Sequence, residues 1–119
     1  MTPFGAKVRA LRGEKDIPLK QMAADLELSP AYLSSLEHGH RGRPSEALVV
    51  QICEYFHLIW DDFEEMHRLA RLSHPKVTVD TSGLSPVHTE LANTLAEKVQ
   101  DISEQDAIAL LARLRGDLF

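Results

Sequence analysis

The sequence predicts an all-α chain, five short helices followed by a two-helix hairpin. Two observations carry this. Apolar residues recur at three- and four-residue spacing along most of the chain. Thr2-Pro3, Ser29-Pro30 and Ser85-Pro86 each set a capping hydroxyl before a proline, which suits the first helical position because it has no N–H to lose. Val77-Thr78-Val79 alternates like a strand but finds no second strand to pair with in the chain. An extended linker is the simpler reading; pairing with its own copy in a dimer is the other.

The elements follow in order. Thr2 and Pro3 open the first helix, along which Phe4, Val8 and Leu11 recur until Gly13 and the charged Glu14, Lys15 and Asp16 end it. A second follows Ile17-Pro18, with Leu19, Met22, Ala23 and Leu26 inward. Glu27 and Leu28 leave room only for a tight turn into the third, which Gly39 stops. Pro44-Ser45 starts the fourth, carrying Leu48, Ile52 and Phe56. The fifth begins near Trp60, where Asp61 and Asp62 match the positive end of the helix dipole, and Pro75 breaks the chain beyond Ser73. In the hairpin, Val87, Leu91, Leu95 and Val99 recur every four residues. Ser103 with Asp106 resembles a capping box for a last helix bearing Ala107, Leu110, Leu111 and Leu114, which Gly116 can terminate. The expected division is a head over residues 1–73, a connector over 74–85 and the hairpin over 86–119.

Composition narrows the function classes. A chain of 119 residues fits one domain, or a compact head with a small appendage whose apolar face needs a partner. No apolar run approaches the roughly 20 residues of a membrane span. The N-terminal Met1-Thr2-Pro3-Phe4-Gly5 lacks the layout of a signal peptide, and the single cysteine, Cys53, excludes an intrachain disulfide framework. A cytoplasmic location is the expectation, with no membrane contact. Net charge is −5, but it is unevenly spread: residues 1–44 hold seven Lys/Arg against five Asp/Glu, and residues 45–119 hold six against thirteen. Positive potential is confined to the first part, so an acidic remainder would orient the chain on a polyanion.

Residues 26–37 are the most informative stretch. Ser29 and Pro30 enter the third helix sharply, and Leu33 and Leu36 share its buried stripe. Ala31, Tyr32, Ser34 and Ser35 are left outward, carrying hydroxyls but no charge. A basic loop follows, His38-Gly39-His40-Arg41-Gly42-Arg43. A helix with short polar side chains ahead of such a loop suits a DNA groove.

Residues 17–37 resemble the helix-turn-helix of the Xre family, the phage repressors and Cro proteins. The resemblance continues through Gly39, the Arg43-Pro44-Ser45 step and the Leu58-Ile59-Trp60-Asp61-Asp62-Phe63 segment, covering residues 3–73. The connector and tail are similar to those of a bacterial subgroup of such regulators. The resemblance implies a five-helix Cro/repressor-like domain that binds double-stranded DNA. Pro30, Ala31, Tyr32, Ser34 and Ser35 would then face the major groove, where serine hydroxyls touch several base edges and the Ala31 methyl meets a thymine methyl, while Tyr32 has a base, a phosphate and the neighbouring helix equally within its reach. Lys20, Gln21, Ser29, His40, Arg41, Arg43 and Ser45 are the candidates for phosphate contact, which supplies affinity and register rather than sequence information. Two positions depart from the family. Leu19 stands where Gln is frequent, and Glu27 where the turn commonly has Gly, so that backbone must tolerate a side chain.

Other residues invite blander readings. The six histidines lack the pairing and cysteine companions of a zinc site, so no metal and no cofactor are expected. Cys53, near Ile52 and Phe56, reads as a buried thiol. Asp61, Asp62, Glu64 and Glu65 read as a solvated helix start rather than a catalytic group, and no nucleophile elbow or phosphate loop accompanies them. An enzyme is not expected. Trp60 has two readings, packing within the chain, which is favoured, or anchoring a dimer. The resemblance thus implies a sequence-specific transcriptional regulator, by default a repressor, expected to act as a homodimer on a palindromic operator. The dimer contact falls to Trp60, Leu69 and Leu72 with Leu91, Leu95, Leu111 and Leu114. The competing reading is an antitoxin-like module whose tail grips a partner protein.

Overall fold

The computed structural model describes residues 1–40 and 42–116, and Arg41, a candidate phosphate ligand, lies outside the described residues. Seven α-helices are described, with no strand among them. They fall into two compact units, Met1–Val77 and Thr78–Phe119.

In the first unit, α1 (Pro3–Glu14) packs against α3 (Pro30–His38) and α5 (Asp61–Arg71). Helix α2 (Leu19–Asp25) packs on α3, and α4 (Glu46–Tyr55) on α5. The caps form as the sequence implies. Thr2 Oγ1 accepts from the Gly5 N–H at 3.0 Å, Ser29 Oγ from Tyr32 at 3.0 Å and Ser45 Oγ from Leu48 at 3.2 Å. Gly39, left-handed at φ 81°, closes α3 with a Schellman pair: its N–H reaches the Leu36 carbonyl and the His40 N–H the Ser35 carbonyl. Phe4, Val8, Met22, Leu33, Ile52, Cys53 and Met66 are fully buried at the centre. Burial pushes the Cys53 thiol pKa up, so it stays a protonated, apolar filler.

One close approach organises these helices. A Cβ on Gly5 would collide with the Glu37 carbonyl, so α1 meets the end of α3 only because residue 5 has no side chain. The same Glu37 carbonyl accepts the Thr2 N–H at 3.1 Å. The Glu37 carboxylate, on a residue only 3% exposed, takes a two-pronged contact from Arg12, Nη2 to Oε1 at 3.1 Å and Nε to Oε2 at 3.2 Å. Arg12 Nη1 also donates to the Ile17 carbonyl at 3.4 Å, tying in the entry to α2. Beside this contact, at the start of α1, buried Ser73 accepts the Phe4 N–H at 2.9 Å and donates to the Leu69 carbonyl at 2.6 Å, fixing α5 to α1.

Trp60 departs from the favoured expectation. It does not fill the core: it is 82% exposed, in a left-handed backbone at φ 53°, and precedes α5 without a side-chain cap. Its neighbours Leu58 and Phe63 take the places against the core instead.

The second unit comprises α6 (Pro86–Lys98), a 3-10 turn (Val99–Asp101) and α7 (Glu104–Arg115). Val77 and Val79 are exposed and belong to no strand. Residues 78–85 are tied into this unit, with Thr81 Oγ1 2.8 Å from Thr89 Oγ1. The Ser82 N–H donates to Asp80 Oδ1 at 2.9 Å, and hydrogen bonding from the Ser82 side chain first and its backbone second holds that carboxyl below its ordinary range. Ser85 differs from its expected role: its hydroxyl meets His88 Nδ1 at 2.7 Å and makes no cap bond to the backbone. Val99 leaves the α-helical register for the 3-10 turn, whereas Ser103 Oγ does accept the Asp106 N–H at 3.1 Å. The larger difference lies in burial. None of the described residues of this unit is buried, and only Thr81, Ala92, Ile102, Ala107 and Ala112 are half-buried. The apolar stripes of α6 and α7 stay open to solvent.

Replacing Glu37 by Ala strands the Arg12 guanidinium in a nearly dry site. The expected loss is about 3 kcal/mol of unfolding free energy, measured by urea titration, with Arg12→Ala losing at least as much because the Glu37 carboxylate it leaves unpaired is the drier of the two.

Candidate nucleic-acid interface

The unit α2–turn–α3 is built from the inside out. Ala23, with no exposed surface, lets α2 approach α3, while Met22, Leu33 and Leu36 lock the crossing from within. The turn is short because Glu27 adopts the left-handed conformation at φ 58°, which allows the Leu28 N–H to reach the Ala23 carbonyl at 2.8 Å. The position where the family commonly has glycine thus does take the backbone glycine favours, at a cost for a side-chain-bearing residue of roughly 1 kcal/mol. Leu19, in the place frequent for Gln, is half-buried against the core and has no polar group to offer.

The outward face of α3 is narrower than its spacing implied. Pro30 and Ala31 are exposed, whereas Tyr32, Ser34 and Ser35 are half-buried, with Tyr32 packed at the edge of the core. Two carbonyls of this face are already engaged, Ser34 by His38 Nδ1 at 2.9 Å and Ser35 by the His40 N–H. The hydroxyl oxygen of Ser29 accepts the cap bond and keeps its proton for an outside acceptor.

The candidate backbone contacts separate. Lys20, His40, Arg43 and Ser45 are exposed, and Pro44 between the last two is buried, anchoring the loop. Arg43 and Ser45 bring a guanidinium beside the start of α4, where backbone N–H groups carry partial positive charge. Gln21 is also exposed but engaged: its Nε2 donates to Asp25 Oδ1 at 2.7 Å. Asp25 in turn accepts the Tyr55 hydroxyl at 2.6 Å, bracing the end of α2 on the end of α4. Burial pushes the Tyr55 pKa up to about 12, and the neighbouring Asp25 carboxylate adds to the rise.

Of the candidate dimer residues, Trp60, Leu72, Leu91, Leu95, Leu111 and Leu114 are exposed, and Leu69 is half-buried against the head's core. Sequence reasoning missed the Arg12–Glu37 pair and the Tyr55–Asp25–Gln21 chain. Glu37 did carry a signal, since it follows Leu33 by four residues and so sits on the buried stripe.

A helix pair with a locked inner face, a capped second helix and cations at its exit defines a DNA-binding helix-turn-helix regulator. Residues 3–66 match the family model described as a helix-turn-helix domain, and the chain belongs to that family. It is similar to the HTH-type transcriptional repressor RghR of Bacillus subtilis (strain 168), 26% identical over 117 residues, a span covering 92% of this chain and 87% of that protein. It is also similar to an uncharacterized HTH-type transcriptional regulator of the same organism, RghRB, 35% identical over 52 residues, which cover 44% of this chain and 37% of that one. No solved structure matches significantly. Among the described residues no helix is long and apolar enough to cross a membrane.

The raised Tyr55 pKa has a definite sign. Neutral Tyr55 is favoured in the folded chain, so its contribution to stability is complete below pH 10 and is lost as pH climbs through about 12. Phenolate absorbance is expected to show one of the two tyrosines ionising near that value. Asp25→Asn is expected to lower it only in part, because burial is the larger cause.

Proposed function

We propose that this chain is a sequence-specific transcriptional repressor acting as a homodimer on a palindromic operator of double-stranded DNA. The observation that carries the reading is the α2–α3 pair, whose second helix is capped by Ser29, fixed from behind by Leu33 and Leu36, and open along Pro30 and Ala31. Similarity over most of the chain to a protein named a repressor supports the sign of regulation.

In this reading α3 enters the major groove. Pro30 and Ala31 lead, with Tyr32, Ser34 and Ser35 following the groove wall. Lys20, Ser29, His40, Arg41, Arg43 and Ser45 hold the phosphates, and Gln21, engaged by Asp25, acts by bracing. Alanine and serine discriminate weakly among bases compared with a bidentate arginine or glutamine. Specificity therefore comes from two half-sites read together, with the two α3 helices about 34 Å apart, one helical turn of DNA.

The second unit supplies the symmetry. Val87, Leu91, Leu95 and Val99 are 43–70% exposed along α6 and its 3-10 turn, and Ile108, Leu110, Leu111 and Leu114 of α7 are 46–74% exposed. A unit with so little buried surface does not offset its own ordering entropy. A second copy laying the same stripes against these buries both sets at once, in the self-complementary manner of a two-fold contact.

Selection from a random duplex pool is expected to enrich one palindromic site, and a pool with no common site overturns sequence-specific regulation. On that site Arg43→Ala is expected to weaken binding to all sequences alike and to lower the slope of log affinity against log salt by about one. Leu91→Asp combined with Leu95→Asp is expected to weaken the dimer in sedimentation equilibrium while leaving the helix content of the head intact. An unchanged dimer excludes the tail from the contact.

A further inference from the structure

The start of α4 and the end of α5 border a cleft of about 450 Å³ in the head. Its floor is apolar, formed by Pro44, Val49 and Ala70, all three buried in the fold. Two guanidiniums line it, Arg43 from the loop before α4 and Arg71 from the last turn of α5. Neither meets a carboxylate at salt-bridge distance among the described residues. Arg68, three residues before Arg71, is different: its Nε and Nη2 are taken up by Glu65 at 2.9 and 2.7 Å. Glu46 is the single acid in the described lining, so two fixed positive charges stand against one negative.

The remaining polar groups of the cleft are held in place. The His67 ring packs on Phe63, centroids 4.3 Å apart, and its Nδ1 donates to the Phe63 carbonyl at 2.9 Å. A neutral ring held that way has Nε2 as an acceptor. Ser45 Oγ accepts the Leu48 N–H at 3.2 Å and keeps its own proton to give.

These groups describe a ligand. Guanidinium forks match the paired oxygens of a carboxylate or a phosphate. The volume lies within the range of small-molecule sites, whose usual lining is an apolar floor with a few polar groups. A bare anion would satisfy the arginines and leave that floor wet. An organic acid with an apolar body meets both.

We propose that the cleft between α4 and α5 is a regulatory site for a small organic anion, an apolar body bearing a carboxylate or phosphate. Arg43 and Arg71 hold the acid group, and Pro44, Val49 and Ala70 receive the body. The regulatory part rests on the DNA reading above and deepens it. In that reading Arg43 anchors a phosphate of the DNA, and a guanidinium engaged by the ligand is withdrawn from it. Occupying the cleft therefore weakens the operator complex, and operator DNA weakens ligand binding by the same factor.

The test uses the full chain and three probes. These are 1-naphthoate, which joins charge to an apolar body, inorganic phosphate, with charge alone, and 2-naphthol, with the body alone. Calorimetric titration without DNA is expected to show saturable one-to-one binding of naphthoate at up to millimolar concentration, and weaker binding of the other two. Arg71 is exposed, so Arg71→Gln leaves the core intact; it is expected to weaken naphthoate binding about tenfold, the loss of one charge-assisted contact. Arg68→Gln, an equal change of charge outside the lining, is expected to leave binding unchanged. The site is overturned by absence of saturable naphthoate binding, by binding that Arg71→Gln leaves intact, or by equal losses in the two variants. Phosphate or naphthol binding as tightly as naphthoate overturns the ligand class.

In a second arm naphthoate is titrated against the chain bound to its selected DNA site. Release of the DNA, abolished by Arg71→Gln at unchanged DNA affinity, is the expected result. Naphthoate binding without release overturns the regulatory step and leaves the cleft site standing. A chain that selects no DNA site overturns the DNA reading and the regulatory step together, while the calorimetry still decides the cleft.

Discussion

The contact between α1 and the last turn of α3 is the constraint on which the head depends. Glu37 meets three different groups there: Thr2 at its carbonyl, the bare Cα of Gly5 against its backbone, and Arg12 at both carboxylate oxygens. A charge this dry costs free energy to bury and is tolerated only with a partner in good geometry. The pair therefore works as a register lock: sliding α3 by one turn would leave both charges without a partner. Since α3 is also held at its start by Met22 and Ala23, it is positioned at both ends by elements that stay behind it. The outward residues inherit that position without contributing to it.

The parts legible in the sequence were those decided by neighbours a few residues away. The caps at Thr2, Ser29, Ser45 and Ser103, the glycine stop at Gly39 and the left-handed turn at Glu27 all follow from local hydrogen bonding and backbone sterics. Glu37 was different, because its partner lies 25 residues earlier in the chain and no local rule joins a glutamate to an arginine at that separation. Ser85 shows the limit even of local rules. A cap-and-proline entry is present, but His88 competes for the hydroxyl and takes it. For Trp60, hydrophobicity argued for burial, while the turn into α5 turned the residue outward and gave the core to Leu58 and Phe63. The tail illustrates the same point on a larger scale. Periodicity located its stripes but carried no information about what covers them.

In the proposed function, affinity, specificity and symmetry fall to different parts of this chain: Arg43 and the start of α4 to phosphates, the face of α3 to bases, and the acidic second unit to neither. Such a division lets each property change with little effect on the others. The serines and alanine on α3 can be exchanged without touching the Leu33 and Leu36 face. The tail can be altered without disturbing the core of the head, which is complete in residues Phe4 to Ala70.

The exposure of Trp60 has an optical consequence. It is the only tryptophan in the chain, and it already stands in water in the folded protomer. Its emission is therefore red-shifted before any unfolding begins, and denaturation changes its surroundings little. Anything that seats the indole moves that emission toward the blue. The intrinsic fluorescence of this protein thus reports on what covers Trp60 rather than on folding, and it can be read without a label.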